Sequence, residues 1–178
     1  MDVLGPFAAA GISIVGLEPS CILTFRDELT MLFPGEKKAN ELAARSLLLD
    51  EFIAREAPDV ALSELKRGAI VQGHCHQKAI AGIDDEVGLL SRIPGLKVEV
   101  LDAGCCGMAG AFGYSREHFE VSKAIGARVL IPAIEASAPE TIIVADGFSC
   151  RSQIRHFCPG RHPMHLAEVL NMAIISPH

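Results

Sequence analysis

The chain has 178 residues, the ordinary size of one domain and enough to bury a real core. A net charge of −6, with 16 basic residues and no run of them, argues against nucleic acid or a membrane surface as the main partner. The hydrophobic fraction of 49% and mean hydropathy of +0.31 run high for a free-standing domain, so one face is expected to pack against another domain or subunit.

No apolar stretch has the length of a transmembrane segment. Leu4–Leu17 has the apolar look of a signal-peptide core, but Asp2 precedes it without a basic lead-in. It reads instead as a strand, Ile12–Leu17, with its approach. After Cys21 an apolar stretch runs to Phe33, where Pro34-Gly35 stops it. Glu36–Glu56 then reads as one amphipathic helix, with Leu42, Leu49, Phe52 and Ile53 at helical spacing and Pro58 closing it.

Ala69–Gln72 is a short β segment, and the next helix starts within Cys75–Ala79. Asp84-Asp85-Glu86 places carboxylates in the first turn of another helix, where the dipole favours them. Pro94-Gly95 turns the chain into a strand over Leu96–Leu101, whose end, Val98–Asp102, leads to Cys105. Ser115 is the N-cap expected for a helix running to about Leu130, and Pro132 opens a turn. Thr141–Ala145 is the last strand, and a final helix spans about Met164 to Ala173. There is no long linker, repeat or low-complexity tract. The alternation predicts one α/β domain over residues 1–178, a Rossmann-like three-layer sandwich: a mainly parallel sheet of about four strands with helices on both faces.

Five of the six cysteines follow β segments: Cys21, Cys75, the adjacent Cys105 and Cys106, and Cys150. In an open parallel sheet, ligands bind outside the carboxyl ends of the strands. Thiolates gathered there suit an iron–sulfur cluster or zinc. Glycines at 104, 107, 110 and 113 let the backbone curl around such a group, and the N–H groups of the loop can hydrogen-bond its sulfurs. An apolar α/β chain with neighbouring cysteines also favours a reducing compartment, by default the cytoplasm, over a disulfide framework.

Three competing readings accompany this one. Buried cysteines act as small hydrophobes, but chance burial does not select strand ends. A nucleotide loop at Gly107–Gly113 lacks both the G-x-G opening and a following Lys-Ser/Thr. Cys75 as a nucleophile beside His74 and His76 leaves the other cysteines unexplained. His74 and His76 read as polar loop residues and His165 as a structural histidine, while Cys158 lies off any strand end and is not expected to be a ligand.

Four segments carry a family resemblance: Leu17-Glu-Pro-Ser-Cys-Ile-Leu-Thr-Phe-Arg-Asp-Glu28, Gly73-His-Cys-His-Gln-Lys78, Asp102-Ala-Gly-Cys-Cys-Gly-Met-Ala-Gly110 and Asp146-Gly-Phe-Ser-Cys-Arg-Ser-Gln153. Together they resemble the cysteine-rich CCG domain found in heterodisulfide reductase, in the iron–sulfur subunits of glycolate oxidase and anaerobic glycerol-3-phosphate dehydrogenase, and in FAD-linked oxidases. The resemblance implies Cys75, Cys105, Cys106 and Cys150 as ligands of an iron–sulfur cluster of 4Fe–4S type, cubane or non-cubane, with Cys21 as a fifth candidate. Where the family places a second closing cysteine, this chain has Gln153. The resemblance further implies an electron-transfer module, without catalytic residues of its own, excised from an FAD-linked dehydrogenase or oxidase of the D-lactate or glycolate type. Its partners would be that enzyme's flavin and ferredoxin-like domains. The alternative is a non-catalytic zinc or interaction module built on the same cysteines.

Overall fold

The computed structural model describes residues 1–175. In chain order the elements are α1 (Gly5–Ala9), β1 (Ile14–Gly16), α2 (Pro19–Ile22), α3 (Glu28–Leu32), α4 (Lys37–Arg45), β2 (Ser46–Leu48) and α5 (Leu49–Glu56). Then come β3 (Gly68–Val71), α6 (Cys75–Ile80), α7 (Asp84–Ser91), β4 (Lys97–Val100), α8 (Phe119–Gly126) and α9 (Leu130–Ala136). The last are β5 (Ile142–Val144), α10 (Phe148–Phe157), β6 (Pro163–Met164) and α11 (Leu166–Ala173).

Four strands form one parallel sheet in the order β4-β3-β5-β6. Successive side chains of a strand point to opposite faces, and the core divides accordingly. Ile70 and Ile143 pack with Leu130, Ile134 and Ile154 of α9 and α10. Ala69, Val71, Ile142 and Val144 pack on the other face with Leu89 and Leu90 of α7 and with Val169 and Leu170 of α11. The fold is therefore α/β with helices on both faces, as expected. β4 lies on one side of β3, and the chain then crosses to place β5 on the other. That reversal opens a crevice between the carboxyl ends of β3 and β5, the topological switch point where such sheets take ligands.

The first strand is a correction. Ile14–Gly16 does not join the main sheet but pairs in parallel with Ser46–Leu48, forming a separate two-stranded sheet. The fourth strand of the main sheet is β6, which bonds to β5. The single helix expected over Glu36–Glu56 is accordingly broken into α4, β2 and α5. Ser46, Leu47 and Leu48 are all buried, and Ser46 Oγ donates to the Leu42 carbonyl at 2.8 Å where α4 ends. Pairing with β1 satisfies backbone groups that a continuous helix would have left β1 without, so the tertiary partner overrides helical periodicity.

Two helix boundaries also move. Ser115 is extended rather than an N-cap, α8 starts at Phe119, and Pro132 lies inside α9 instead of opening a turn. Pro132 is the third residue of α9, in the first turn, where its missing N–H has no intrahelical acceptor to lose. The last helix starts at Leu166 because Pro163-Met164 is a strand. No described helix is long and apolar enough to cross a membrane.

Candidate metal centre at the strand ends

Parallel strands deliver their carboxyl ends to one edge, so the loops after β3, β4 and β5 meet there. Cys75 is the first residue of α6, Cys105 and Cys106 lie in the loop after β4, and Cys150 is in the first turn of α10. Cys106 and Cys150 are buried, Cys105 is half-buried, and Cys75 is exposed at the rim.

The sulfurs interact. Cys150 hydrogen-bonds to Cys106, holding the Cys106 thiol down at about 7 against the opposing effect of burial. As the donor of that bond, Cys150 is pushed far up, and burial and the charges of Cys106, Cys75 and Cys105 add to the rise. Desolvation of its sulfur, then the negative charge of Cys105, raises Cys75. These thiols cannot all ionise together without a cation among them. A bound metal centre supplies that positive charge and deprotonates its thiols, so the donor set fits a thiolate-ligated metal or cluster.

The loop is built to hold this arrangement. Gly107 has φ +103°, and a Cβ there would stand 2.2 Å from the Ser122 carbonyl oxygen. Only glycine lets the loop turn so close to α8. The Gly107 N–H donates to Cys105 Sγ at 3.3 Å. Lys78 Nζ donates to the Ala103 carbonyl and, at 3.4 Å, to that of Gly104, and Gln72 Nε2 reaches the Gly104 carbonyl at 3.3 Å. A cleft of about 150 Å³ borders Cys105 between this loop and Arg128.

Cys21 is placed differently. It is exposed on α2, a helix that packs against α6, and it is not among the charges that chiefly act on Cys75, Cys106 or Cys150. Its segment is nonetheless tied to the site, because Glu18 Oε2 accepts the Phe148 N–H at the start of α10 at 2.7 Å. Cys158 is buried among the α9 and α10 residues, where burial raises its thiol.

Among the histidines, His74 departs from the loop reading. It is 8% exposed and packs on Gly147, where a Cβ would lie 2.3 Å from its Cδ2 and 3.3 Å from Cys150 Sγ. His76 turns away from the thiols, its Nε2 3.9 Å from Asp27 Oδ2. His165 caps α11, Nδ1 accepting from the Ala167 N–H at 2.9 Å while Nε2 donates to the Leu17 carbonyl at 2.7 Å. That makes it the structural histidine expected.

Gln153 was visible only as a departure. Its Nε2 donates to the carbonyls of Cys106 at 3.0 Å and Ser122 at 3.1 Å, with Ser122 Oγ at 3.2 Å. The position serves the loop through its amide.

The chain is similar to the C-type subunit of anaerobic glycerol-3-phosphate dehydrogenase from Escherichia coli K12, at 33% identity over 150 residues, covering 81% of this chain and 36% of that protein. It is also similar to D-2-hydroxyglutarate dehydrogenases of Pantoea ananatis and Escherichia coli K12, each at 29% identity. These matches cover 92% and 95% of this chain but 16% and 17% of those proteins. The chain thus spans about a third or a sixth of the relatives it matches. No protein-family model matches it, and no solved structure matches it significantly.

Proposed function

We propose that this chain is the electron-transfer module of a dehydrogenase, a single cysteine-rich CCG unit that holds a 4Fe–4S-type cluster on Cys75, Cys105, Cys106 and Cys150. The observation that carries the reading is the meeting of four mutually interacting thiols from three strand-end loops at the switch point. When bound, the cluster supplies a one-electron relay. The protein's part is to hold the thiolates, exclude water from Cys106 and Cys150, and direct the Gly107 N–H at Cys105. Cys21 lies outside this set of four and is the test case for a fifth ligand.

The parent enzyme we infer is FAD-linked and acts on a 2-hydroxy acid, in line with the D-2-hydroxyglutarate dehydrogenases among the relatives. Hydride transfer then belongs to the flavin domain, and this module assigns no catalytic residue. Leu17 and Phe148, 55% and 59% exposed beside the Glu18–Phe148 hydrogen bond, support docking of flavin or ferredoxin-like domains at the crevice. The cytoplasm is the proposed compartment, consistent with six free cysteines.

Anaerobic reconstitution with iron and sulfide tests the reading. Broad visible absorption with stoichiometric iron and sulfide is expected, and Cys106→Ser should abolish it while Cys158→Ser keeps it. A colourless protein holding stoichiometric zinc on the same cysteines would establish the zinc module instead.

A further inference from the structure

Behind the Cys75 turn, three helices meet around a polar set that the thiol site does not use. Asp50 of α5, Gln77 of α6 and Glu86 of α7 are 2%, 0% and 1% exposed. Gln77 Nε2 stands between the two carboxylates, donating to Glu86 Oε2 at 3.2 Å and toward Asp50 Oδ2 at 3.4 Å. Gln77 Oε1 and Glu86 Oε1 are buried without a hydrogen-bond partner.

The nearby cations are committed elsewhere. Arg26 and Arg55 pair with Glu51, and Lys78 binds the carbonyls of Ala103 and Gly104. Arg92 binds the Val60 carbonyl, and Arg151 those of Ala145 and Asp146. His76 faces Asp27, and both ring nitrogens of His165 are bonded. Asp84 and Asp85 of α7 are exposed. Asp146, 5% exposed, adds a third buried carboxylate, but it accepts the Leu166 N–H at 2.7 Å and has His165 Nε2 at 3.7 Å. Among the described residues, neither Asp50 nor Glu86 forms an ion pair.

Burying an unpaired charge costs far more than protonating it. Of the three acids, Glu86 has the poorest support for a negative charge, a single shared amide N–H. A proton on Oε1 turns one orphan acceptor into a donor, and a small rotation of the Gln77 amide offers it the other orphan, Gln77 Oε1.

We propose that Glu86, Gln77 and Asp50 form a buried proton-binding site, occupied at neutral pH by a proton on Glu86 that lets α5, α6 and α7 close together behind Cys75. Burial, then the charges of Asp146 and Asp50, hold Glu86 well above the usual carboxylate range, in agreement with the geometry. Loss of the proton sets Glu86 and Asp50 against each other across Gln77, two residues along α6 from Cys75. The site does not depend on a cluster being bound.

Infrared spectroscopy of the full chain tests it directly. At pH 7 the wild-type protein should show a buried protonated-carboxyl stretch that Glu86→Gln removes and Asp50→Asn retains. In unfolding experiments, Glu86→Gln should flatten the pH dependence by one proton's share, about tenfold in the folding constant per pH unit. A wild-type spectrum without the band overturns the proposal whether or not Glu86→Gln folds. A band that Glu86→Gln leaves in place overturns it as well.

Discussion

Gln153 Nε2 donates to the Cys106 carbonyl oxygen at 3.0 Å, joining α10 to the loop that carries the adjacent cysteines. The same amide nitrogen reaches the Ser122 carbonyl and hydroxyl, so one side chain ties α10, α8 and the thiol loop together. Gln153 is 2% exposed, which shields these bonds from competition by solvent.

Gln153→Leu keeps most of the volume and removes the donor. Leaving buried carbonyls unpaired costs about 1–3 kcal/mol. The urea midpoint should fall accordingly, and the Cys105–Gly107 amides should exchange faster with solvent. Unchanged exchange in that loop would show that the amide does not hold it.

Gly107→Ala introduces both an unfavourable φ and a collision with the Ser122 carbonyl. The backbone strain alone is worth about 1–3 kcal/mol, and the collision adds to it. A large drop in Tm is expected, whereas Gly88→Ala in α7, where a Cβ meets nothing within 4 Å, should be neutral or stabilising.

Cys21→Ser separates a four-thiolate from a five-thiolate centre. After anaerobic reconstitution it should retain the iron and sulfide content of the wild type, whereas Cys150→Ser should lose most of both. Equal losses from the two variants would place Cys21 in the ligand set.

Asp50 offers a pH test with a defined sign. Burial, the largest influence, raises its carboxyl from 3.8 to about 6. A raised folded-state value means the associated stability is complete below pH 3.8 and is lost as pH rises through about 6. Asp50→Asn should therefore gain on the wild type by on the order of 1–3 kcal/mol between pH 4 and pH 8. Chemical denaturation at the two pH values measures it, and a pH-independent difference would contradict it.

Much of the main sheet was legible because its signals are local. Ala69–Gln72 and Thr141–Ala145 are short apolar runs next to turn residues, and Asp84-Asp85-Glu86 marks a helix start that the structure keeps. Ser46–Leu48 was not legible as a strand, since its leucines fit the helical period of their neighbours and only the partner Ile14–Gly16 reveals the pairing. His74 was equally opaque. Its burial comes from Gly147, 73 residues away in the chain.

The linear order of cysteines and strands was enough to determine that Cys75, Cys105, Cys106 and Cys150 reach one sheet edge, because parallel strands deliver every following loop to the same side. Which thiol is most easily ionised, where Cys21 lies, and what Gln153 does were decided only by tertiary structure. The Cys106–Cys150 hydrogen bond, the separate β1–β2 sheet and the Gln153 amide bridges each join segments distant in the chain. Their energetics depend on burial and distance, and neither quantity is written in the local order of residues.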